Sequence, residues 1–206
     1  MIKLYGIDLS GNTYKVKLLL HLLNLNYQFI ALDVKNNQHK TSDYLKINPR
    51  GEFPALEDDS FVIWDSQAIL VYLAQKYGAH LKEDHWYPQS ATDMAQITQW
   101  LTVANGEIFN SLGKARSKIK FGYECDFELA QKQGEIILKW INSHLSKRTW
   151  IATHEPSIAD IACYPYIALC EEGNISLEGY PSIHAWFQQI QSLDGYITMP
   201  GIRPDI

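Results

Sequence analysis

The sequence is poor in cysteine, in clustered basic residues and in long apolar segments. Its three cysteines, Cys125, Cys163 and Cys170, are an odd number without C-x-x-C spacing, so neither a disulfide framework nor a zinc site is expected. The histidines also lack metal-ligand spacing, and no metal is assigned. Lysine and arginine form no run, and the formal net charge is -5, which argues against nucleic-acid binding.

The longest apolar run, residues 16–25, is too short to span a membrane and is interrupted by Lys17 and His21. The N-terminus begins with a strand-like segment and lacks a basic-then-apolar leader. Together with the cysteine usage, these absences predict a cytoplasmic protein in a reducing compartment, without membrane association.

What is present is an ordinary globular composition, 46% hydrophobic and 20% charged, in 206 residues, a length that allows two small domains. Strands are predicted at 2–5 and 27–34, and between them apolar residues at 16, 19, 20 and 23 have the spacing of one helix face. A short helix at 42–47, a hairpin with strands at 54–57 and 61–64, and a helix beginning at 65 follow. The order βαβαββα is therefore predicted for an α/β domain over residues 1–77.

After residue 77 no strand is predicted. Residues 78–89 are polar and are interpreted as a linker, and residues 90–206 as an all-helical domain with helices at 90–120, 126–145 and 181–193. A further helix begins at Ser157, where Asp160 is placed to complete a capping box.

Residues 47–73 contain the clearest binding signal. A strand opened by Pro54 and a helix that starts at Asp65-Ser66 lie close together in the chain. A strand edge can hydrogen-bond an extended peptide, and a helix N-terminus can hold a carboxylate because its first N–H groups lack internal partners. This segment is predicted to bind a small peptide-like anion.

Three motifs give the chain a family likeness. They are Asn48-Pro49-x-Gly51-x-x-Pro54-x-Leu56, Asp65-Ser66-x-Ala68-Ile69-x-x-Tyr72-Leu73 and Ser157-x-Ala159-Asp160. With them, the sequence resembles the soluble glutathione S-transferases, and its Ser10-Gly11-Asn12 loop is similar to that of serine-type classes, the phi-like and many bacterial members. The resemblance implies a thioredoxin-like domain before the helical one, a homodimer, and glutathione as co-substrate in the conjugation of small hydrophobic electrophiles, a detoxification chemistry.

Ser10 matches the catalytic serine of such enzymes, which would donate a hydrogen bond to the thiolate of glutathione. A hydrogen bond to the charged form lowers a thiol pKa, and a nearby helix N-terminus adds to the effect. On its position alone Ser10 could serve only as a helix cap, a role that Asn12 could also fill, and the resemblance favours the catalytic role. Tyr5 and Asn12 stay open as further contacts to the thiol. No cysteine precedes Cys125, which makes disulfide-exchange chemistry unexpected.

The resemblance assigns glutathione-binding roles to several residues. Phe53 precedes Pro54, expected in the cis form, and its backbone would pair with the cysteinyl unit. Asp65 and Ser66 would hold the ammonium and carboxylate of the γ-glutamyl end, although Asp65 stands where Glu is commoner and Asp-Ser is also an ordinary helix start.

His39 and Lys40 match a pair that contacts the glycyl carboxylate, although loop residues of this kind are often only solvated. Glu52 also lies near that end and departs from the usual Gln or Lys, which would weaken binding of the carboxylate or favour a ligand that lacks it.

The electrophile pocket is expected between the first loop and the long helix of the second domain. Its predicted lining is Leu9, Asn105, Phe109, Leu112 and Arg116. Two alternatives remain for function: glutathione-dependent peroxide reduction or isomerisation at the same site, and a transferase-like binding or assembly module without catalysis.

Overall fold

The computed structural model describes residues 1–78 and 86–204. The first domain has a four-stranded mixed sheet with helices on both faces. Its elements are β1 (Ile2–Gly6), α1 (Gly11–Leu22), β2 (Tyr27–Ala31), α2 (Ser42–Ile47), β3 (Ala55–Asp58), β4 (Phe61–Trp64) and α3 (Ser66–Leu73), with a π-type turn over Ala74–Gly78. The predicted order βαβαββα is confirmed.

The strands are arranged in the order β2-β1-β3-β4. β1 and β2 are parallel, with Ile2 opposite Tyr27, and β3 is antiparallel to β1 and β4. β2 ends at Ala31, three residues before the predicted end, because the Asp33 carboxylate accepts hydrogen bonds from the N–H and the side chain of Asn36 and turns the chain.

The second domain is helical. It contains α4 (Ala91–Val103), a segment of wider π-type turns (Ala104–Gly113), α5 (Lys114–Phe121), α6 (Phe127–Leu145), α7 (Ile158–Ala168) and α8 (Pro181–Gln191). The first three form one continuous helical run, close to the predicted 90–120. Most of the predicted linker, 79–85, lies outside the described residues, and the domain boundaries stay a prediction.

One hydrophobic core runs through both domains. Leu4 and Leu56 of the sheet pack with α1 and α3, and the same core continues into α7, all of whose residues are buried. A smaller cluster of Leu32, Tyr44 and Ala55 lies apart from this core. Because α7 packs against both α1 and α4, it joins the two domains.

No helix within residues 1–78 and 86–204 is both long and apolar enough to cross a membrane.

Candidate functional site

Ser10 lies in the loop between β1 and α1 and is the N-cap of α1. Its Oγ accepts a hydrogen bond from the N–H of Thr13 at 3.2 Å, and the side chain is 8% exposed. A hydroxyl that accepts one bond keeps its own hydrogen for another acceptor. Ser10 therefore places an O–H donor at the positive end of a helix.

The loop around Ser10 rests on the helical domain. A Cβ added to Gly11 would lie 2.9 Å from Cζ of Tyr166 on α7, so the backbone lies directly on that ring. On the other side of Ser10, Nη1 of Arg116 donates to the carbonyl of Leu9 at 3.0 Å. The second domain thus holds the loop both before and after the candidate serine.

Arg116 is predicted to line the electrophile pocket, but the structure buries its side chain. The side chain is 1% exposed, and its Nε donates to Oε2 of Glu172 at 2.6 Å. A buried guanidinium needs a counter-charge, and Glu172 supplies it. With its charge balanced in this way, Arg116 can lie buried between α5 and the first loop. Arg116 supports the loop and does not present an exposed charge to a ligand.

Tyr5 is close to the site, but its hydroxyl is engaged elsewhere. Its O–H donates to Oε2 of Glu57 at 3.0 Å, and Lys3 donates to Oε1 of the same carboxylate at 2.7 Å. Burial and the Glu57 carboxylate raise the pKa of Tyr5. Since a phenol has one proton to donate, this geometry leaves Ser10 as the better donor to a thiol.

The loop that carries His39 and Lys40 packs against the turn at Gly51. Lys40 Nζ donates to the carbonyl of Gly51 at 2.7 Å. Gly51 has φ of +60°, and an added Cβ would lie 2.9 Å from the carbonyl oxygen of His39, so glycine is needed here. Lys40 Nζ also donates to the carbonyl of Arg50 at 3.4 Å, so one of the three ammonium donors stays available for an anion.

The peptide bond between Phe53 and Pro54 is cis, as the resemblance implies. The preceding carbonyl, that of Glu52, accepts hydrogen bonds at 2.7 Å from the Tyr44 hydroxyl and from Nδ2 of Asn48. Asn48 is buried and was not predicted as a site residue, although the Asn-Pro-x-Gly motif contains it. It fixes the segment that presents the Phe53 backbone.

The Glu52 carboxylate is paired with Arg50 and is exposed to solvent. Arg50 donates from Nε to Oε2 at 2.9 Å and from Nη2 to Oε1 at 3.2 Å, a two-bond arrangement that partly neutralises the carboxylate. Its side chain is 60% exposed, so the pair is screened by solvent.

Asp65 is the N-cap of α3 and has a strained backbone, with φ of +77°. Its Oδ1 accepts from the N–H groups of Gln67 and Ala68 at 2.9 and 3.2 Å, and Oδ2 takes part in neither bond. A positive φ outside glycine is uncommon and is often retained at functional sites. The capping role and an ammonium contact through Oδ2 are therefore compatible.

Ser66, the first residue of α3, is buried and donates its hydroxyl to Oε1 of Gln67 at 2.7 Å. Its backbone N–H, like every first N–H of a helix, has no intrahelical acceptor. The N–H group indicates an anion-binding position at this helix end, while the hydroxyl hydrogen is engaged with Gln67.

Several buried polar atoms in the described part of the chain have no hydrogen-bond partner. They are Thr13 Oγ1, His39 Nδ1, Gln67 Nε2 and Arg116 Nη2. Such atoms are rare in folded proteins, and His39 and Gln67 lie within the candidate site.

The predicted electrophile pocket is only partly supported by the structure. Leu9 and Asn105 are exposed, and Phe109 packs edge-on against Tyr166 with ring centroids 5.4 Å apart, which places it beside the first loop. Leu112, however, is 0% exposed, because that face of the helix packs into the core, and it does not line an open pocket.

A groove of about 750 Å³ lies elsewhere on the helical domain. Its lining comes from a different face of the same long helix and from α6: Thr102, Gly106, Glu107, Asn110, Gln133, Ile136, Ile137 and Trp140. It shares no residue with the predicted glutathione or electrophile sites, and we assign it no catalytic role.

No group of three or more His, Cys, Asp or Glu side chains that could hold a metal ion occurs among the described residues.

Comparisons with known proteins show the family of this chain. The family models "Glutathione S-transferase, N-terminal domain" and "Glutathione S-transferase, C-terminal domain" match residues 1–75 and 118–194. Glutathione S-transferase 1 of Manduca sexta is 29% identical over 204 residues, which cover 95% of this chain and 90% of that protein.

Solved structures show the same relationship. A glutathione S-transferase from Pseudomonas fluorescens matches with a TM-score of 0.88 at 31% identity, over 97% of this chain and 98% of that one. A glutathione transferase homologue from Drosophila mojavensis with bound glutathione matches with a TM-score of 0.83 at 29% identity, over 93% and 88% of the two chains.

Proposed function

The chain belongs to the glutathione S-transferase family, and from that premise we propose that it conjugates a Ser10-stabilised glutathione thiolate to a small hydrophobic electrophile. The observation that carries the proposal is the position of Ser10 at the N-terminus of α1, with a hydroxyl hydrogen free for a further acceptor. A free cysteine thiol has a pKa near ~8.5 and is mostly protonated at neutral pH. An O–H bond to sulfur and the helix dipole both favour the thiolate.

The reaction then proceeds by nucleophilic attack. The thiol proton passes to solvent, and the sulfur lone pair forms a bond to the electrophilic carbon. In a substitution the leaving group departs with its bonding electrons, and in an addition the adduct takes a proton from water. Ser10 keeps its own proton throughout and acts as a donor, and catalysis comes from thiolate activation and positioning.

Each part of glutathione has a proposed partner. The carboxylate and ammonium of the γ-glutamyl end bind to Ser66 and to Oδ2 of Asp65, and the Phe53 backbone pairs with the cysteinyl unit. The glycyl carboxylate lies near His39 and Lys40, where the Lys40 ammonium supplies positive charge in an otherwise acidic protein.

The electrophile binds on the other side of the sulfur, against Leu9, Asn105 and Phe109. This surface combines two apolar side chains with one amide, a composition that suits a small, mainly hydrophobic substrate. Such a pocket does not by itself determine one substrate.

A direct test is retention on a glutathione resin followed by a conjugation assay with an aryl halide. We expect the protein to be retained, to be eluted by free glutathione and to turn over the aryl halide. Retention without turnover of aryl halides or other electrophiles would instead support a binding module. Turnover of a peroxide without conjugation would support the reductive alternative.

We also propose a cytoplasmic homodimer. The hairpin strand β4 leaves Phe61, Val62 and Trp64 markedly exposed, and the Phe61 ring packs at a tilt against Tyr72 with ring centroids 4.8 Å apart. Val62 and Trp64 share one face of this edge strand, because side chains alternate along a strand, and exposed apolar side chains on an edge strand are a common feature of association surfaces. Sedimentation equilibrium should give twice the chain mass of 23.6 kDa, and a monomer would contradict this.

Glu52 should weaken the binding of the glycyl carboxylate. Replacing Glu52 by Gln removes the negative charge and releases the Arg50 guanidinium, so the KM for glutathione should fall about threefold, since exposed charges contribute less than ~1 kcal/mol. The effect should diminish in high salt. Glu124→Gln is the matched control, because Glu124 is also exposed and paired, with Lys118. An unchanged or higher KM for Glu52→Gln would show that this carboxylate does not face the ligand.

A further inference from the structure

Lys15 is a buried ammonium next to the site. It lies in the second turn of α1 and is 0% exposed. Its Nζ donates to Oδ1 of Asn12 at 2.9 Å and lies 5.2 Å from the centre of the Tyr166 ring. Burying a charge is costly, and an apolar side chain of similar length would pack there at lower cost. A lysine at this position therefore suggests a function for the charge or the donor.

The groups around Lys15 leave it charged at neutral pH. Tyr166 and Cys163 approach from α7, and Asp65 approaches from the start of α3. Burial lowers the pKa of Lys15 to about 8, whereas burial raises the pKa of Cys163 and keeps that thiol neutral. Lys15 is thus a cation whose nearest acceptor is the Asn12 amide.

The bond to Lys15 determines which way the Asn12 amide points. An ammonium only donates, so it requires the amide oxygen, and the NH₂ group must turn away from Lys15. Asn12 is partly exposed and follows Ser10 by two residues, in the first turn of α1. Its NH₂ group is therefore presented on the same helix end as the Ser10 hydroxyl.

We propose that Lys15 is a positioning residue for thiol activation, holding Asn12 so that its NH₂ group donates to the glutathione thiolate beside Ser10. This inference rests on the proposed function of the Ser10 site.

The test measures the pKa of the bound thiol from the ultraviolet absorbance of the thiolate in the binary complex with glutathione, which requires no turnover. In Lys15→Met, we expect this pKa to rise by about one unit and kcat/KM to fall roughly tenfold at neutral pH. The KM for glutathione should change less than twofold, because Lys15 does not contact it. Lys15→Gln, which keeps a donor without the charge, should fall between Lys15→Met and the parent.

A double variant tests whether Lys15 acts through Asn12. Asn12→Ala should also raise the pKa of the bound thiol, and adding Lys15→Met to it should raise it little further. Fully additive shifts would overturn the route through Asn12. An unchanged thiol pKa in both Lys15 variants would overturn the whole inference. The proposed function is tested separately: if Ser10→Ala shifts the thiol pKa while both Lys15 variants leave it unchanged, only the role of Lys15 is overturned.

Correct folding of the Lys15 variants can be checked by urea unfolding at several pH values. The pKa of Lys15 is lowered from 10.5 to about 8 in the folded protein, so between these values the unfolded chain binds more protons, and the contribution of Lys15 to stability increases as the pH rises. At pH 7 we expect Lys15→Met to be at least as stable as the parent, and the difference to shrink towards pH 10.5. A variant that is folded by this criterion and has a parental thiol pKa counts against the proposal.

Discussion

Replacing Ser10 by alanine should lower kcat/KM for conjugation about 10- to 100-fold at neutral pH, since a hydrogen bond to a charged group contributes roughly 1.5–3 kcal/mol. The loss should be smaller at high pH, where the thiol ionises without help. The pH at which kcat/KM reaches half its maximum should therefore move upward by about one to two units. The KM for glutathione should change little, because the remaining contacts with the tripeptide are intact. Steady-state kinetics from pH 5.5 to 9.5 measure these changes.

The control must separate catalysis from helix capping. Ser10 also caps α1 through the Thr13 N–H, and losing an N-cap costs about 1 kcal/mol of stability. Ser90→Ala removes a cap serine from α4, where Oγ accepts from Asp93, outside the proposed site. It should leave the pH profile unchanged, and Ser10→Thr should retain part of the activity. A parental pH profile in Ser10→Ala would exclude the thiolate role and leave Asn12 as the main candidate donor.

Asp160→Ala should produce the largest loss of stability. The buried Asp160 carboxylate accepts hydrogen bonds from the N–H of Ile151 and the Nε1–H of Trp186, both at 2.9 Å. It also accepts from the N–H and hydroxyl of Ser157, at 2.9 and 3.2 Å, which completes the capping box of α7. Alanine leaves these buried donors unpaired, so we expect the free energy of unfolding to fall by about 3–5 kcal/mol. That is a large part of the ~5–15 kcal/mol typical of a domain.

The control for Asp160→Ala is Asp126→Ala. Asp126 also caps a helix, α6, through the Leu129 N–H, but it does so at an exposed position, and its loss should cost about 1 kcal/mol. Urea unfolding followed by tryptophan fluorescence measures both variants. Equal losses would mean that Asp160 is only a cap. Asp160→Asn should fall between the two, because it keeps the shape but turns an acceptor into a donor.

The fold was predictable because its signals are local. The helix face of α1, the hairpin of β3 and β4, and the capping box at Ser157 each depend on spacing within a few residues, and all appear in the structure. The end of β2 was missed by three residues, because the Asp33 turn involves side-chain hydrogen bonds that compete with strand pairing.

The site was predictable where a motif carries it. The cis bond at Pro54 and the helix start at Asp65-Ser66 follow from motifs shared with the family. No motif in the sequence predicts the contacts that favour Ser10 over Tyr5 as the donor to the thiol. The engagement of Tyr5 with Glu57 depends on the β1–β3 register, in which Lys3 lies opposite Glu57 and Tyr5 lies opposite Ala55.

The order of residues along the chain was thus enough to identify the family and the order of secondary structure, and to predict which residues face glutathione. Packing between the two domains determined which of the predicted site side chains are buried and which are exposed. Docking of α5 and α7 against the first loop buries Arg116 and Lys15 and removes Leu112 from any pocket. The burial of these side chains and their hydrogen bonds depend on residues about 100 positions apart, such as Leu9 and Arg116. The spacing of neighbouring residues in the sequence cannot predict such contacts.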